Sequence, residues 1–293
     1  MSPGSVSVVI PAYNARETIG SALDSVRAQT CSPLETIVVD DGSPDGTGDL
    51  VRERYPWVKV VIVPNGGPSR ARNVGAATAR GQWIALLDAD DVWHPAKLAL
   101  QLQTADRTGA GLVATDWIRH DGFPAIPVSL PQSLISYGDM LVLNRFQTST
   151  VLMDGALYHR LGGFDPAVDG AEDWDLWLRA AAVSRVVKID WPLVQYRDVE
   201  SGYSKDIWRV YGTMQPAIDK HRTAGVVSPR KFRTIEAWHH LRFWVAFRLA
   251  HQPEHARAAL KRALSPDLVA YTGVAAVRYL VPFLWQRLQK KSM

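Results

Sequence analysis

Trp83-Ile84-Ala85-Leu86-Leu87-Asp88-Ala89-Asp90-Asp91 runs from an apolar stretch straight into three carboxylates. The apolar half has the length and composition of a buried strand. The carboxylates then gather where that strand surfaces, and at such spacing they repel one another. Two readings follow. A hard cation sits there, because Mg²⁺ or Mn²⁺ takes oxygen ligands and is commonly shared with substrate phosphates. Or the stretch is a polar strand-to-helix turn, with Asp90 or Asp91 capping a helix that begins near Pro95.

Upstream, strand and helix signals alternate. Val6-Ser7-Val8-Val9-Ile10 is a β-branched run that stops at Pro11. Residues 17–29 place Ile19, Ala22, Leu23 and Val26 at helical spacing. Thr36-Ile37-Val38-Val39 predicts a second strand ending at Asp40-Asp41-Gly42-Ser43, and residues 58–63 a third. Residues 68–80 read as a helix. This alternation predicts an α/β fold: a Rossmann-like, mostly parallel sheet flanked by helices. Ligands of such sheets bind at the carboxyl ends of the strands. Tyr13, the Asp40-Asp41 pair and Asp88-Ala89-Asp90 all fall there, which is hard to explain as turn chemistry alone.

Downstream the signal is less regular. Residues 120–135 carry Pro124, Pro127 and Pro131 and read as a loop. Residues 147–153 predict a strand, 161–165 a turn and 171–182 a helix with Trp174, Trp177, Leu178 and Ala181 on one face. Residues 186–189 and 193–196 are two short strand candidates. Beyond residue 205 the pattern is helical almost to the end.

Composition narrows the classes. The 293 residues are 47% hydrophobic and 21% charged, enough for a sizeable core in one large domain with an appendage. One cysteine, Cys31, excludes an internal disulfide framework, and with it Cys/His zinc spacing is missing. The start, Met1-Ser2-Pro3-Gly4, lacks the basic and apolar regions of a signal peptide. Together these point to a cytoplasmic compartment, with the inner face of the plasma membrane within reach of the tail. The net charge of +4 is unevenly spread: residues 1–199 hold 17 Lys and Arg against 23 Asp and Glu, whereas residues 200–293 hold 16 against 6. That asymmetry predicts two regions with different tasks, 1–204 and 205–293.

Several blocks in order resemble the family 2 glycosyltransferases of the GT-A fold. They are Ser7-Val8-Val9-Ile10-Pro11-Ala12-Tyr13-Asn14, Val39-Asp40-Asp41-Gly42-Ser43-Pro44-Asp45-Gly46-Thr47, and Asn65-Gly66-Gly67-Pro68-Ser69-Arg70-Ala71-Arg72-Asn73-Val74-Gly75. Asp88-Ala89-Asp90-Asp91 follows, and then Gly162-Gly163-Phe164-Asp165 with Glu172-Asp173-Trp174-Asp175-Leu176. Each block alone is weak, but five in order over residues 5–200 are specific.

The resemblance implies roles. Pro11, Ala12 and Tyr13 would line a nucleobase pocket, with Tyr13 packing on the base. Asp41 would accept a hydrogen bond from the base, with Asp40 supporting the turn. Asp88, beside Ala89, would bind the ribose, and Arg72 would sit near the nucleotide. Asp90 would ligate Mg²⁺ or Mn²⁺ at the diphosphate. Asp173 would be the catalytic base, with Glu172 beside it. The implied activity is inverting, metal-dependent transfer from a nucleotide sugar to a glycan or lipid-linked acceptor in cell-surface polysaccharide or glycolipid synthesis; a pocket formed by Tyr13 and Asp41 suits a UDP-linked donor, with dTDP-sugars open as well because thymine keeps the same N–H.

Bland readings stand beside these. Asp40 and Asp41 could only satisfy a turn, and Asp173 could be only a helix N-terminal charge. Trp174 and Trp177 read better as core than as an acceptor platform. Arg70 and Arg72 could be a solvated helix face. Asp45 reads as a helix cap and Cys31 as inert. One position departs from the pattern: Val199 stands where the family often carries a histidine that completes the metal site, and Asp198 and Glu200 beside it offer oxygens instead. That departure motivates the alternative of a catalytically silent nucleotide-sugar-binding or scaffold protein. A dinucleotide-dependent oxidoreductase is disfavoured, because Pro11-Ala12-Tyr13-Asn14 has no glycine where a Gly-x-Gly turn is needed.

The tail leaves two readings open. Residues 268–284 are apolar apart from Tyr271, Thr272, Arg278 and Tyr279, with Arg287, Lys290 and Lys291 following. Arg278 and Pro282 make a poor membrane span. The segment either lies on a membrane surface or packs in an ordinary helical subdomain. His239 and His240 read as surface or partly buried histidines rather than ligands. The basic tail matches no nucleic-acid-binding module, so no nucleic acid is expected as a partner.

Overall fold

A computed structural model of the chain describes residues 4–120, 122–197 and 206–284. The chain divides into two compact units, residues 1–140 with 144–200, and residues 141–143 with 201–293. In the first, strands β1 (Val6–Ala12), β2 (Glu35–Asp40), β3 (Lys59–Ile62) and β4 (Trp83–Leu86) alternate with helices α1 (Ile19–Arg27), α2 (Thr47–Arg54) and α3 (Pro68–Thr78). Then come β5 (Val92–Trp93), α4 (Lys97–Thr108), β6 (Leu112–Ile118), β7 (Gln132–Leu134), α5 (Tyr137–Val142), β8 (Leu152–Asp154), α6 (Gly155–Arg160), α7 (Glu172–Val183) and β9 (Val186–Gln195).

Among the described residues these strands form a nine-stranded sheet in the order β3-β2-β1-β4-β8-β6-β9-β5, with β7 also on β9. The β3-β2-β1-β4 half is parallel, whereas β8 runs antiparallel to both β4 and β6. β1 and β4 are buried almost throughout, as near-continuous apolar runs covered on both faces should be, Ser7 being the polar exception in β1. Pro11 sits inside β1 beyond Val9, the last residue paired with β4, so its missing N–H breaks no ladder bond on that side. Helix α3 lies so close to the sheet that a Cβ on Gly75 would collide with Val9 and meet Val39 tightly.

Several local expectations change. No helix is capped by Asp90 or Asp91: the chain forms the short strand β5 first, and α4 starts at Lys97 after an Ala96 cap without side-chain bonding. Residues 148–150 form a single 3₁₀ turn before β8, not a strand. The two strand candidates after residue 185 are one strand, β9. It passes through Pro192 where its register with β6 shifts around Asp116. Within the proline-rich loop, β7 pairs with β9.

The second unit is helical: α8 (Ile207–His221), α9 (Pro229–Leu249), α10 (Pro253–Ala263) and α11 (Val269–Ala275), the last running into a π-helical turn at Ala276–Leu280. Its interior is aromatic. Trp208 stacks on His255 at 4.2 Å between ring centroids, and Tyr211 packs on Phe243 and Phe247. His239 and His240 are both fully buried rather than at the surface, and Tyr211 shares a 2.9 Å hydrogen bond with His240. Trp238 holds Tyr279 and Phe283 against α9. The opposite side of that segment leaves Val274, Val277, Val281 and Leu284 exposed. Among the described residues no helix is long and apolar enough to cross a membrane.

Candidate active site

The carboxyl ends of β1, β2 and β4 share one rim because the three strands are parallel neighbours. At β1 the chain presents Pro11 and Ala12 and then Tyr13, which is 52% exposed. Ala12 and Ala89 are themselves buried, so they offer backbone rather than side chain. At β2, Asp40 accepts from the backbone N–H of Ser43 at 3.0 Å and of Gly48 at 3.1 Å, which braces the start of α2. Asp45 accepts from Thr47 N–H at 3.0 Å at the first residue of that helix, but the N-cap position is Gly46, which carries no side-chain cap. Asp41 is 3% exposed, and its two oxygens accept from the N–H groups of Gly66 and Gly67 at 2.9 and 2.8 Å. Bracing is thus a duty of both aspartates. Asp41 keeps further lone pairs for a ligand.

At β4, Asp88 to Asp91 form a tight turn closed by Asp91 N–H to Asp88 O at 3.1 Å. Ser149, on the 3₁₀ turn, accepts from Asp88 N–H at 3.0 Å, and its carbonyl accepts from Trp93 Nε1 at 2.8 Å. Asp91 is buried. One oxygen accepts from Arg197 N–H at 3.1 Å, and the other has no partner. Burial first, and then the Asp88 carboxylate, push Asp90 up to about 6 and Asp91 up to about 8. Among the described residues no three His, Cys, Asp or Glu side chains are disposed to hold a metal on their own. The clustered carboxylates of this turn, one of them with a buried oxygen that has no partner, nonetheless fit a hard divalent ion that would take one or two protein oxygens and draw its other ligands from phosphate and water. Val199, Asp198 and Glu200 lie outside the described residues.

Arg72 is no solvated helix residue. It is buried on α3, donating to Asp88 at 2.7 Å and to Glu172 at 3.2 Å, with its guanidinium 5.2 Å from the Phe164 ring centre. Burial alone would lower its pKa, but Asp88 and Glu172 outweigh that and hold the cation charged. Arg70, by contrast, is exposed.

Glu172 and Asp173 open helix α7. Asp173 accepts from Trp174 N–H at 2.5 Å and from Asn144 Nδ2 at 3.0 Å. Burial, followed by the charge of Glu172, raises its pKa well above the usual carboxylate range. Trp174 and Trp177 are core residues, at 4% and 0% exposed, and Trp174 Nε1 donates to Met140 O at 2.6 Å.

The turn before α7 is fixed from two sides. Arg179 pairs with buried Asp175 at 2.6 Å and donates to the carbonyls of Leu161 and Gly163 at 2.7 and 2.8 Å. Asn73, next to Arg72, donates to Phe164 O and accepts from Phe164 N–H and Tyr158 OH. Ser69 donates to Asp169. The residues missed in the sequence are thus Asn73, Asn144, Ser149 and Arg179. Asn73 sits within a quoted block and Ser149 within the hydroxyl run Thr148-Ser149-Thr150. Asn144 and Arg179 carry no local signal.

The profile of glycosyl transferase family 2 matches residues 7–159. The chain is 30% identical over 176 residues to WfaP of Escherichia coli, a UDP-Glc:alpha-D-GlcNAc-diphosphoundecaprenol beta-1,3-glucosyltransferase. That match covers 59% of this chain and 68% of WfaP. Two solved structures share its fold. TarS residues 1–349 of S. aureus, in complex with UDP-GlcNAc, superposes with a TM-score of 0.67 at 20% identity, over 90% of this chain and 81% of that one. The mannosyltransferase PcManGT of Pyrobaculum calidifontis, in complex with GDP-Man and Mn²⁺, gives 0.64 at 24% identity, over 98% and 84%.

Proposed function

The chain belongs to glycosyl transferase family 2 and is a glycosyltransferase, and from that premise we propose that it is an inverting, metal-dependent enzyme transferring a sugar from a UDP-sugar to a hydroxyl of a glycan or lipid-linked acceptor. The observation that carries this reading is Arg72, which joins Asp88 on the strand rim to Glu172 on the acceptor-side helix. Nucleotide-side and acceptor-side carboxylates therefore belong to one site.

In this reading Tyr13 stacks on the uracil, and Asp41 accepts the base N–H on a lone pair left by the Gly66 and Gly67 amides. Asp88 takes the ribose hydroxyls. Asp90 would hold Mg²⁺ or Mn²⁺, which would stabilise the negative charge gathering on the departing diphosphate. Asp173 takes the proton of the attacking hydroxyl as that oxygen bonds to the anomeric carbon and the sugar–phosphate bond breaks, releasing UDP. Its raised pKa suits this work, since a base near neutrality is both ionised and strong enough. A single displacement of this kind inverts the anomeric centre. Likeness to WfaP, whose named acceptor is lipid-linked, supports an acceptor of that kind and a role in cell-surface polysaccharide or glycolipid synthesis.

Calorimetry with UDP, ADP and GDP, followed by UDP release from a panel of UDP-sugars, tests the proposal. Tighter binding of UDP than of the purine nucleotides is expected, because the pocket offers one aromatic face and one carboxylate to a pyrimidine N–H. Equal affinity for all three would overturn the uracil assignment.

A further inference from the structure

The candidate active site occupies the carboxyl ends of the strands. The opposite rim of the sheet carries a cleft of its own. Gly4, Trp83, Gly111 and Ser184 stand at or just before the starts of β1, β4, β6 and β9, which all run the same way, and all four residues line a cleft of about 980 Å³. It lies wholly within the first unit. Small-molecule sites enclose about 300–1,000 Å³, so the volume suits a ligand of several rings. Helix α4 forms one wall with Gln103 and Asp106, and helix α6 the other with Ala156 and Arg160.

The polar groups of this cleft are of both kinds and are unengaged. Trp83 is partly buried, yet its indole N–H makes no hydrogen bond among the described residues. An indole N–H in such a setting usually finds an acceptor. Glycine at position 4 leaves that edge of the ring uncovered, since a Cβ there would strike Trp83 Nε1. The exposed side chains of Gln82, Gln103, Asp106 and Arg160 also make no hydrogen bond among the described residues. A phosphate cradle would gather cations. Here the lining sets one guanidinium among two carboxylates, Asp106 and Asp154, and two amides. Donors and acceptors mixed around an aromatic ring, with little net charge, match a neutral polyhydroxyl ligand, each of whose hydroxyls both donates and accepts.

We propose that this cleft is a second saccharide site, which holds a neutral stretch of the acceptor glycan remote from its reacting end. The inference rests on membership of the glycosyltransferase family and not on the catalytic assignments. Trp83 opens β4 and Asp88 lies just past its end, roughly 16 Å away at the rise of an extended strand. The occupant is therefore beyond reach of the transfer chemistry, and the cleft retains rather than reacts. A glycan held at one point presents the rest of its length at a raised effective concentration.

The test titrates the full chain by calorimetry with cellotriose, maltotriose, laminaritriose and chitotriose, and with trigalacturonate as the anionic control. At least one neutral trisaccharide should bind. Asp106→Ala and Arg160→Ala should each weaken it by about tenfold, the worth of a hydrogen bond to a charged group. Ala156→Trp, which sets a ring into the cleft from an exposed position of α6, should abolish it. Asp173→Asn should bind the trisaccharide as wild type does. Asp106 and Arg160 are exposed, so their variants should keep the melting temperature of wild type, which separates loss of binding from loss of fold.

Failure of every neutral trisaccharide to bind at millimolar concentration would overturn the site. So would binding that survives the three cleft variants, and its loss in Asp173→Asn would then place the sugar at the acceptor side of the active site. Tighter binding of trigalacturonate than of any neutral trisaccharide would overturn the neutral class. None of these results touches the transfer reading, which is tested separately by UDP release.

Discussion

Asn73 and Phe164 are joined through both ends of one amide. Asn73 Nδ2 donates to Phe164 O at 2.8 Å, and Asn73 Oδ1 accepts from Phe164 N–H at 2.9 Å. Tyr158 OH adds a third bond to the same oxygen at 2.7 Å. Helix α3, which carries Arg72, is thereby tied to the Gly162-Gly163-Phe164 turn that leads to Glu172 and Asp173. A Cβ on Gly163 would strike that Asn73 oxygen, and its φ of +71° is a conformation that favours glycine.

Replacing Asn73 by alanine leaves buried polar groups of Phe164 unpaired. The expected loss is about 1–3 kcal/mol for each such group, read as a lower urea midpoint at unchanged m. A variant as stable as wild type would show that water replaces the amide without cost.

Asp173→Asn should bind UDP normally and transfer sugar more slowly by roughly 10²–10⁴-fold, the usual worth of a positioned base. The pH profile of wild type carries the same assignment. A base works only when ionised, and this carboxyl is raised by burial and by Glu172. The acid limb of kcat/KM should therefore lie well above the ordinary aspartate value of about 3.9, with activity falling as pH drops through it. Full turnover at pH 4.5 would remove Asp173 from the proton transfer.

Asp90→Ala should reduce transfer by roughly 100-fold or more, given the several kcal/mol a bound divalent ion contributes. EDTA should cut wild-type activity to the same level and leave the variant unaffected. Wild-type rates that are indifferent to EDTA would refute the metal assignment.

The exposed face of the last described helical segment should dock on anionic bilayers. Val274, Val277, Val281 and Leu284 recur at helical spacing, beside exposed Arg278 and within a region of 16 basic and 6 acidic residues. Each Lys or Arg near an anionic surface is worth about 1 kcal/mol. Sedimentation with phosphatidylglycerol vesicles at low salt should pull down wild type, and Val277→Asp with Val281→Asp should stay in solution. Equal partition of both would return this face to the role of an ordinary surface.

Much of the fold is legible in the sequence where burial is two-sided. β4 is an unbroken apolar run, β1 and β2 carry Val and Ile at their centres, and the carboxyl ends of all three follow from the alternation with helices. β6 escaped reading because Leu112–Ile118 mixes Thr115, Asp116 and Trp117 into the strand. β9 read as two pieces because Pro192 interrupts it, and only the register shift opposite Asp116 shows how the proline is accommodated. The site divides in the same way. Asp41, Asp88, Asp90 and Asp173 stand out as carboxylates at element ends. The partners of Arg72, 16 and 100 residues away, are set by tertiary packing and leave no periodic trace. Asn144 follows Leu141-Val142-Leu143, and nothing local marks which way its amide turns.

One guanidinium serving both Asp88 and Glu172 also limits how this enzyme can be re-engineered. Loops around the nucleotide and loops around the acceptor look like separate modules in the linear chain, open to exchange between relatives. The shared charge welds them. A graft that brings a new acceptor loop without its own acid opposite Arg72 leaves that cation half-neutralised. One that replaces helix α3 without Arg72 strands two carboxylates together. Chimeras will therefore tolerate crossovers only where Arg72, Asp88 and Glu172 travel as a set.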